Sequence, residues 1–178
     1  MHRLTQSIEI RLPRKRVFAF LKDIKARLEL NPFYKVYSFE KITDGAIGIG
    51  TRFKIALLSD YGMSKYESEV VEFVENERIA TRDVNGRLML TLTLKDIPGG
   101  TLLTHDEEFI IPEEILHEKE ETKAPQWLQL LKSLTLESIK FDDRKRRKKI
   151  EEITRNLRNN LRTWLNIIKE RLETEGAL

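Results

Sequence analysis

Cysteine is missing altogether from the 178 residues, which excludes a disulfide framework, a thiolate nucleophile and any cysteine-held zinc or iron–sulfur centre. Long apolar runs are missing as well. No stretch approaches the roughly 18 apolar residues of a membrane span, and the opening MHRLTQSIEI lacks the basic-then-apolar pattern of a secretory leader. A soluble cytoplasmic protein is the expectation. A surplus of one charge is nearly absent: 32 Lys and Arg against 29 Asp and Glu leave +3, so where the charge is concentrated matters more than its sum. There is no solenoid-type repeat and no low-complexity tract.

Cofactor and metal signatures are also wanting. The stretch DGAIGIGTRF places Gly45, Gly48 and Gly50 close together and resembles a phosphate-cradling loop. A dinucleotide fingerprint requires a following helix and a third glycine where helix and strand touch. Here Phe53, Ile55 and Leu57 alternate with Lys54 and Ala56, the two-residue period of a half-buried strand. The glycines therefore read as a turn that delivers a strand. None of the three histidines, His2, His105 and His117, has another at ligand spacing. His117 and Glu121 are four apart, but two ligands fall short of the three that a catalytic zinc takes. No cofactor and no metal are expected.

What is present is a strand-rich chain closed by a helix. Residues 7–12 alternate as a first strand and stop at Pro13, which suits the first turn of a helix. Val17, Phe18, Leu21 and Ile24 then recur at helical spacing. Further strands are expected at 34–42, 51–58, 65–74, 78–84, 88–95 and 101–111. Several of the breaks are short and carry turn chemistry, such as Asn85-Gly86 and Pro98-Gly99-Gly100, so consecutive strands should be antiparallel neighbours. After an acidic, irregular 112–123, Pro125 and Trp127 open a leucine-rich amphipathic stretch.

The terminal helix, at about 142–174, is the most periodic element. Ile150, Ile153, Leu157, Leu161, Trp164, Leu165, Ile168 and Leu172 recur every three or four residues and must lie on something apolar. Burying eight such side chains represents roughly 12 to 24 kcal/mol as an upper bound, and the only partner large enough is the sheet. The expectation is a single α+β domain over 1–178. A curved antiparallel sheet of about seven strands wraps the long C-terminal helix in a helix grip, with a helical insertion at about 113–141.

The segments SIEIRLPRKRVFAFLKDI, GIGTRF, YESEVVEFVENERIATR, GGTLLTHDEEF and LRTWLNIIKERLE resemble the START-like (SRPBCC) superfamily, in particular its polyketide cyclase/dehydrase and lipid-transport branch. The match spans nearly the whole chain apart from about 112–147. The resemblance implies a helix-grip fold that encloses an apolar cavity for lipids, polyketides or similar hydrophobic molecules. It does not imply one activity, since members include carriers and cyclases, and function has to be argued from the site.

Alternation selects which side chains face such a cavity. Phe53 and Ile55 would do so from one strand, Tyr66 and Ser68 from the next, and Leu90 and Leu92 from a third. His105, Glu107 and Phe109 share a face of the last strand, and Leu161, Trp164 and Leu165 would meet them from the helix. His105 and Glu107 would then be neighbours in apolar surroundings, the condition for acid–base chemistry, or simply a hydrogen-bonded polar pair. Asp106 and Glu108 point the other way and are no catalytic pair with Glu107. No catalytic residue is assigned.

The run Arg144, Lys145, Arg146, Arg147, Lys148 and Lys149 opposes the dipole of a helix starting there. Two readings stand. The helix starts earlier, near Gln126, and the run is a solvated face; or the run meets an anionic surface, as transient membrane contact with Trp127 and its leucines as a lid. Nucleic acid is not expected, because interleaved aromatics are missing and Glu151-Glu152 follow. The leading expectation is a carrier or sensor of a small hydrophobic ligand without covalent chemistry. Its rivals are an aromatase/cyclase-type enzyme and a protein-interaction module using the insertion.

Overall fold

A computed structural model describes residues 1–59, 62–111 and 143–175, the side chains of 143–146 excepted. The expected insertion at 113–141, with Trp127, His117 and Glu121, lies outside the described residues. Seven strands, β1 (His2–Ile10), β2 (Lys35–Lys41), β3 (Arg52–Ser59), β4 (Gly62–Val74), β5 (Arg78–Asp83), β6 (Leu88–Ile97) and β7 (Gly100–Phe109), form one antiparallel sheet. Two short helices, α1 (Arg14–Leu21) and α2 (Ile24–Glu29), join β1 to β2, and a long helix, α3 (Asp143–Glu175), ends the described chain.

The sheet order is β1-β7-β6-β5-β4-β3-β2. Strands β2 to β7 follow one another as hairpins, because their connections hold residues that accept a left-handed backbone. Asn76 sits at φ 63 between β4 and β5, and Gly99 at φ 82 between β6 and β7. Gly100 has a second constraint: a Cβ there would collide with the carbonyl oxygen of Ile10, where β1 runs beside β7. With β1 and β2 at opposite edges, α1 and α2 carry the chain from one edge of the sheet to the other.

Two elements differ most from the sequence expectation. Strand β1 begins at His2, not Ser7, and ends at Ile10. Its first half shows little alternation because Leu4 is its lone apolar residue facing inward. It is held by its ladder to β7, from His2 opposite Phe109 to Ile10 opposite Thr101. The helical stretch after Pro13 is two helices instead of one. Asp23 stops the first, and its carboxylate accepts from the Ala26 amide at 3.0 Å, capping α2.

Registry sorts the side chains. Cross-strand partners share a face, so Phe53, Ile55 and Leu57 stand with Ser68, Tyr66 and Ser64. Likewise Leu88, Leu90, Leu92 and Leu94 stand with Phe109, Glu107, His105 and Leu103. This is the concave face, covered by α1, α2 and α3. On α3, Leu161, Trp164, Leu165, Ile168 and Leu172 join the main core with Val17, Phe18 and Leu21 of α1. Nearer its start, Ile153 joins a smaller cluster with Leu4, Phe109 and Ile111, against which Ile150 and Leu157 pack. The helix stripe thus covers the sheet along its length, and Arg11 pins the far end of α3 by donating from its amide and guanidinium to the Glu173 carboxylate at 2.8 and 3.0 Å.

Candidate ligand-binding site

The concave face is filled unevenly. Leu92, Leu94, Leu103, Phe53 and Ile55 are buried, whereas Tyr34, Val36, Phe39, Tyr66 and Leu90, packed on the same core, stay only partly buried. This half-open group comes from β2, β4, β6 and the turn after α2. A tightly packed interior would bury such side chains fully. Here part of the apolar surface stays uncovered.

Polar groups gather beside it. His105 is 1% exposed, and its Nε2 lies 3.0 Å from Glu107 Oε1, whose side chain is 22% exposed. The Trp164 ring meets the imidazole edge-on, with centroids 5.6 Å apart, and its indole N–H donates to the Arg27 carbonyl at 3.1 Å. Helix α3 thereby ties β7 to α2. A carboxylate at hydrogen-bond distance from one nitrogen fixes the orientation of the ring, the geometry of a pair that can pass a proton between them.

Arg27 is the group that sequence reading missed. It is 2% exposed, and its Nε and Nη1 have no hydrogen-bond partner. Burial pushes its pKa down to about 10, against the opposing pull of Tyr34, Tyr66 and Asp23, so it is charged at neutral pH. Taking an ion from water without a partner costs several kcal/mol, roughly, even after relaxation. Burial also pushes the hydroxyls of Tyr34 and Tyr66 well above the usual tyrosine range, which keeps both as donors. Asp83, opposite Ser68, is a second such group, with both carboxylate oxygens buried and unpartnered. The signals were there to find. Arg27 falls in the helical stripe of Ile24 and Leu28, and Asp83 shares the two-residue period of Ile79 and Thr81.

The residues expected to line a cavity divide among these places. Tyr66, Leu90 and Glu107 border the half-open region, with Ser68, Leu92 and His105 beside them on the same face. Phe53, Ile55, Leu161, Trp164 and Leu165 are core residues around it. Phe109 stands apart, in the smaller cluster and stacked on His2 at 5.8 Å. Of the basic run, Arg147 and Lys148 are exposed and Lys149 is partly buried; the side chains of Arg144, Lys145 and Arg146 lie outside the described residues.

The family model for polyketide cyclase/dehydrase and lipid transport proteins matches residues 1–162. The chain belongs to that family. No curated protein matches the sequence. Among solved structures, a Thermus thermophilus protein superposes with a TM-score of 0.62 at 16% identity, covering 98% of this chain and 99% of the other. A Nitrosomonas europaea protein gives 0.63 at 13%, covering 99% and 97%. The di-domain ARO/CYC StfQ from the steffimycin biosynthetic pathway gives 0.63 at 13%, covering 99% of this chain and 52% of that one. At such identities the likeness establishes the fold. For this polyketide cyclase/dehydrase and lipid transport family member it is the helix grip, an open curved antiparallel sheet with a C-terminal helix.

Proposed function

We propose that the protein binds a small hydrophobic molecule between the concave face of the sheet and α3, as a carrier or sensor that does no covalent chemistry. The observation that carries this reading is that Val36, Phe39, Tyr66 and Leu90 pack against the buried core of the concave face yet stay only partly buried. Leaving apolar surface unfilled forfeits packing and transfer free energy, and a guest restores both. Family membership supports the same class of ligand. Native mass spectrometry of protein purified from its source should show a co-purifying apolar mass that solvent extraction removes. Repeated absence of any such mass would remove the support for a carrier.

One observation favours a second reading, an aromatase/cyclase-type enzyme: the His105–Glu107 pair stands on the same concave wall, at hydrogen-bond distance. Solved neighbours include two di-domain ARO/CYC proteins, StfQ and BexL. In this reading the pair transfers protons and Tyr66 donates to a substrate oxygen. His105→Ala would then abolish turnover of a poly-keto thioester analogue and leave its binding nearly intact. Equal loss of both would count against catalysis. The interaction-module reading rests on 113–141, outside the described residues.

A further inference from the structure

Arg27 needs an anion that the described protein does not provide. It joins no ion pair among the described residues, and the one carboxylate whose charge reaches it, that of Asp23, is engaged in capping α2 through the Ala26 amide. Glu107 and Asp83 act on the tyrosines instead: Glu107 on Tyr34 and Tyr66, Asp83 on Tyr66. The guanidinium is therefore buried without a partner for Nε and Nη1 and lies within electrostatic reach of two tyrosines, which in turn feel further carboxylates. Those tyrosine side chains pack on the core yet remain partly exposed in the half-open region. A buried charge and partly exposed tyrosines thus pack on the same core.

We propose that the guest is an amphiphile with a carboxylate head, seated on Arg27 between the Tyr34 and Tyr66 hydroxyls, with its apolar chain running along Phe39 and Leu90. This rests on the ligand-binding reading above and gives its ligand a chemical class. A carboxylate supplies the missing counter-charge and accepts several charge-assisted hydrogen bonds from one guanidinium and two phenols. An uncharged ester of the same chain leaves the cation unpaired and forfeits the strongest of these bonds. Selection against neutral lipids follows from that difference.

The test uses the full chain and a series of fatty acids, dodecanoate to octadecenoate, each paired with its methyl ester, measured by displacement of a neutral naphthylamine dye. The acids should bind at least about tenfold tighter than their esters. Arg27→Gln should erase that preference by weakening the acids alone, and Arg27→Lys should restore part of it. Tyr34→Phe and Tyr66→Phe should each weaken the acids a few-fold and the esters by less, which keeps the proposal open to refutation if the Arg27 variants fail to fold. Equal binding of acids and esters by the unmodified protein would overturn the carboxylate head and leave the ligand-binding reading standing. Binding of neither class across the series would overturn both.

Discussion

Arg27 and the two tyrosines give the protein a distinctive alkaline behaviour. The Arg27 pKa lies at about 10 in the fold, well below the ordinary arginine value. Between those values the unfolded chain holds more protons, so this group alone makes stability rise with pH. Tyr34 and Tyr66 act in the opposite sense, because the fold holds their neutral forms above the ordinary value of 10.0. Their contribution is complete below that value and is lost as pH climbs past it. Two tyrosines outweigh one arginine. The thermal midpoint should therefore fall from about pH 10 upward, and the double variant Tyr34→Phe, Tyr66→Phe should flatten that fall. An unchanged slope in a series of alkaline melts would show that both hydroxyls ionise freely in the fold.

Helix α3 is held chiefly by its stripe, to which the Arg11–Glu173 tie adds at the far end. Its ion pair Arg171–Glu175 is spaced four apart on a solvated face, where such a pair contributes a few tenths of a kcal/mol, roughly. Ile168, in contrast, is 1% exposed and sits in the main core. Ile168→Ala should lower unfolding free energy by about 2–5 kcal/mol in urea titration, since the surrounding sheet cannot collapse into the gap. A loss below about 1 kcal/mol would mean that α3 is docked loosely. Strand β1 makes the complementary point. Its seat beside β7 depends on Gly100, because any side chain there meets the Ile10 carbonyl.

The described part of the basic run, Arg147 to Lys149, lies near the start of α3, at the opposite end from the Arg11–Glu173 tie. With Arg147 and Lys148 exposed and Glu151 and Glu152 exposed one turn on, positive and negative charge alternate along the helix surface. That pattern suits a solvated face. Anionic vesicles of phosphatidylglycerol should therefore fail to float the protein at about 0.15 M salt, where exposed charges are screened beyond roughly 8 Å. Flotation that weakens as salt rises would establish a membrane-facing role for the run instead. Among the described residues no helix is long and apolar enough to cross a bilayer.

Much of this architecture is legible in local patterns. The two-residue period placed Phe53, Ile55, Leu90, Leu92, His105 and Glu107 on one face, and the ladders keep them there. The three-to-four spacing from Ile150 to Leu172 likewise marked the face of α3 that meets the sheet. Periodicity works because each strand or helix has one side to hide, and a single turn fixes the register of a hairpin. Three things needed the assembled fold. The β1–β7 ladder joins residues about a hundred positions apart, a distance over which no local signal acts. The break between α1 and α2 rests on one carboxylate reaching one amide. The isolation of Arg27 is a statement about what surrounds it on every side, and a sequence lists neighbours along the chain, not across the space the chain encloses.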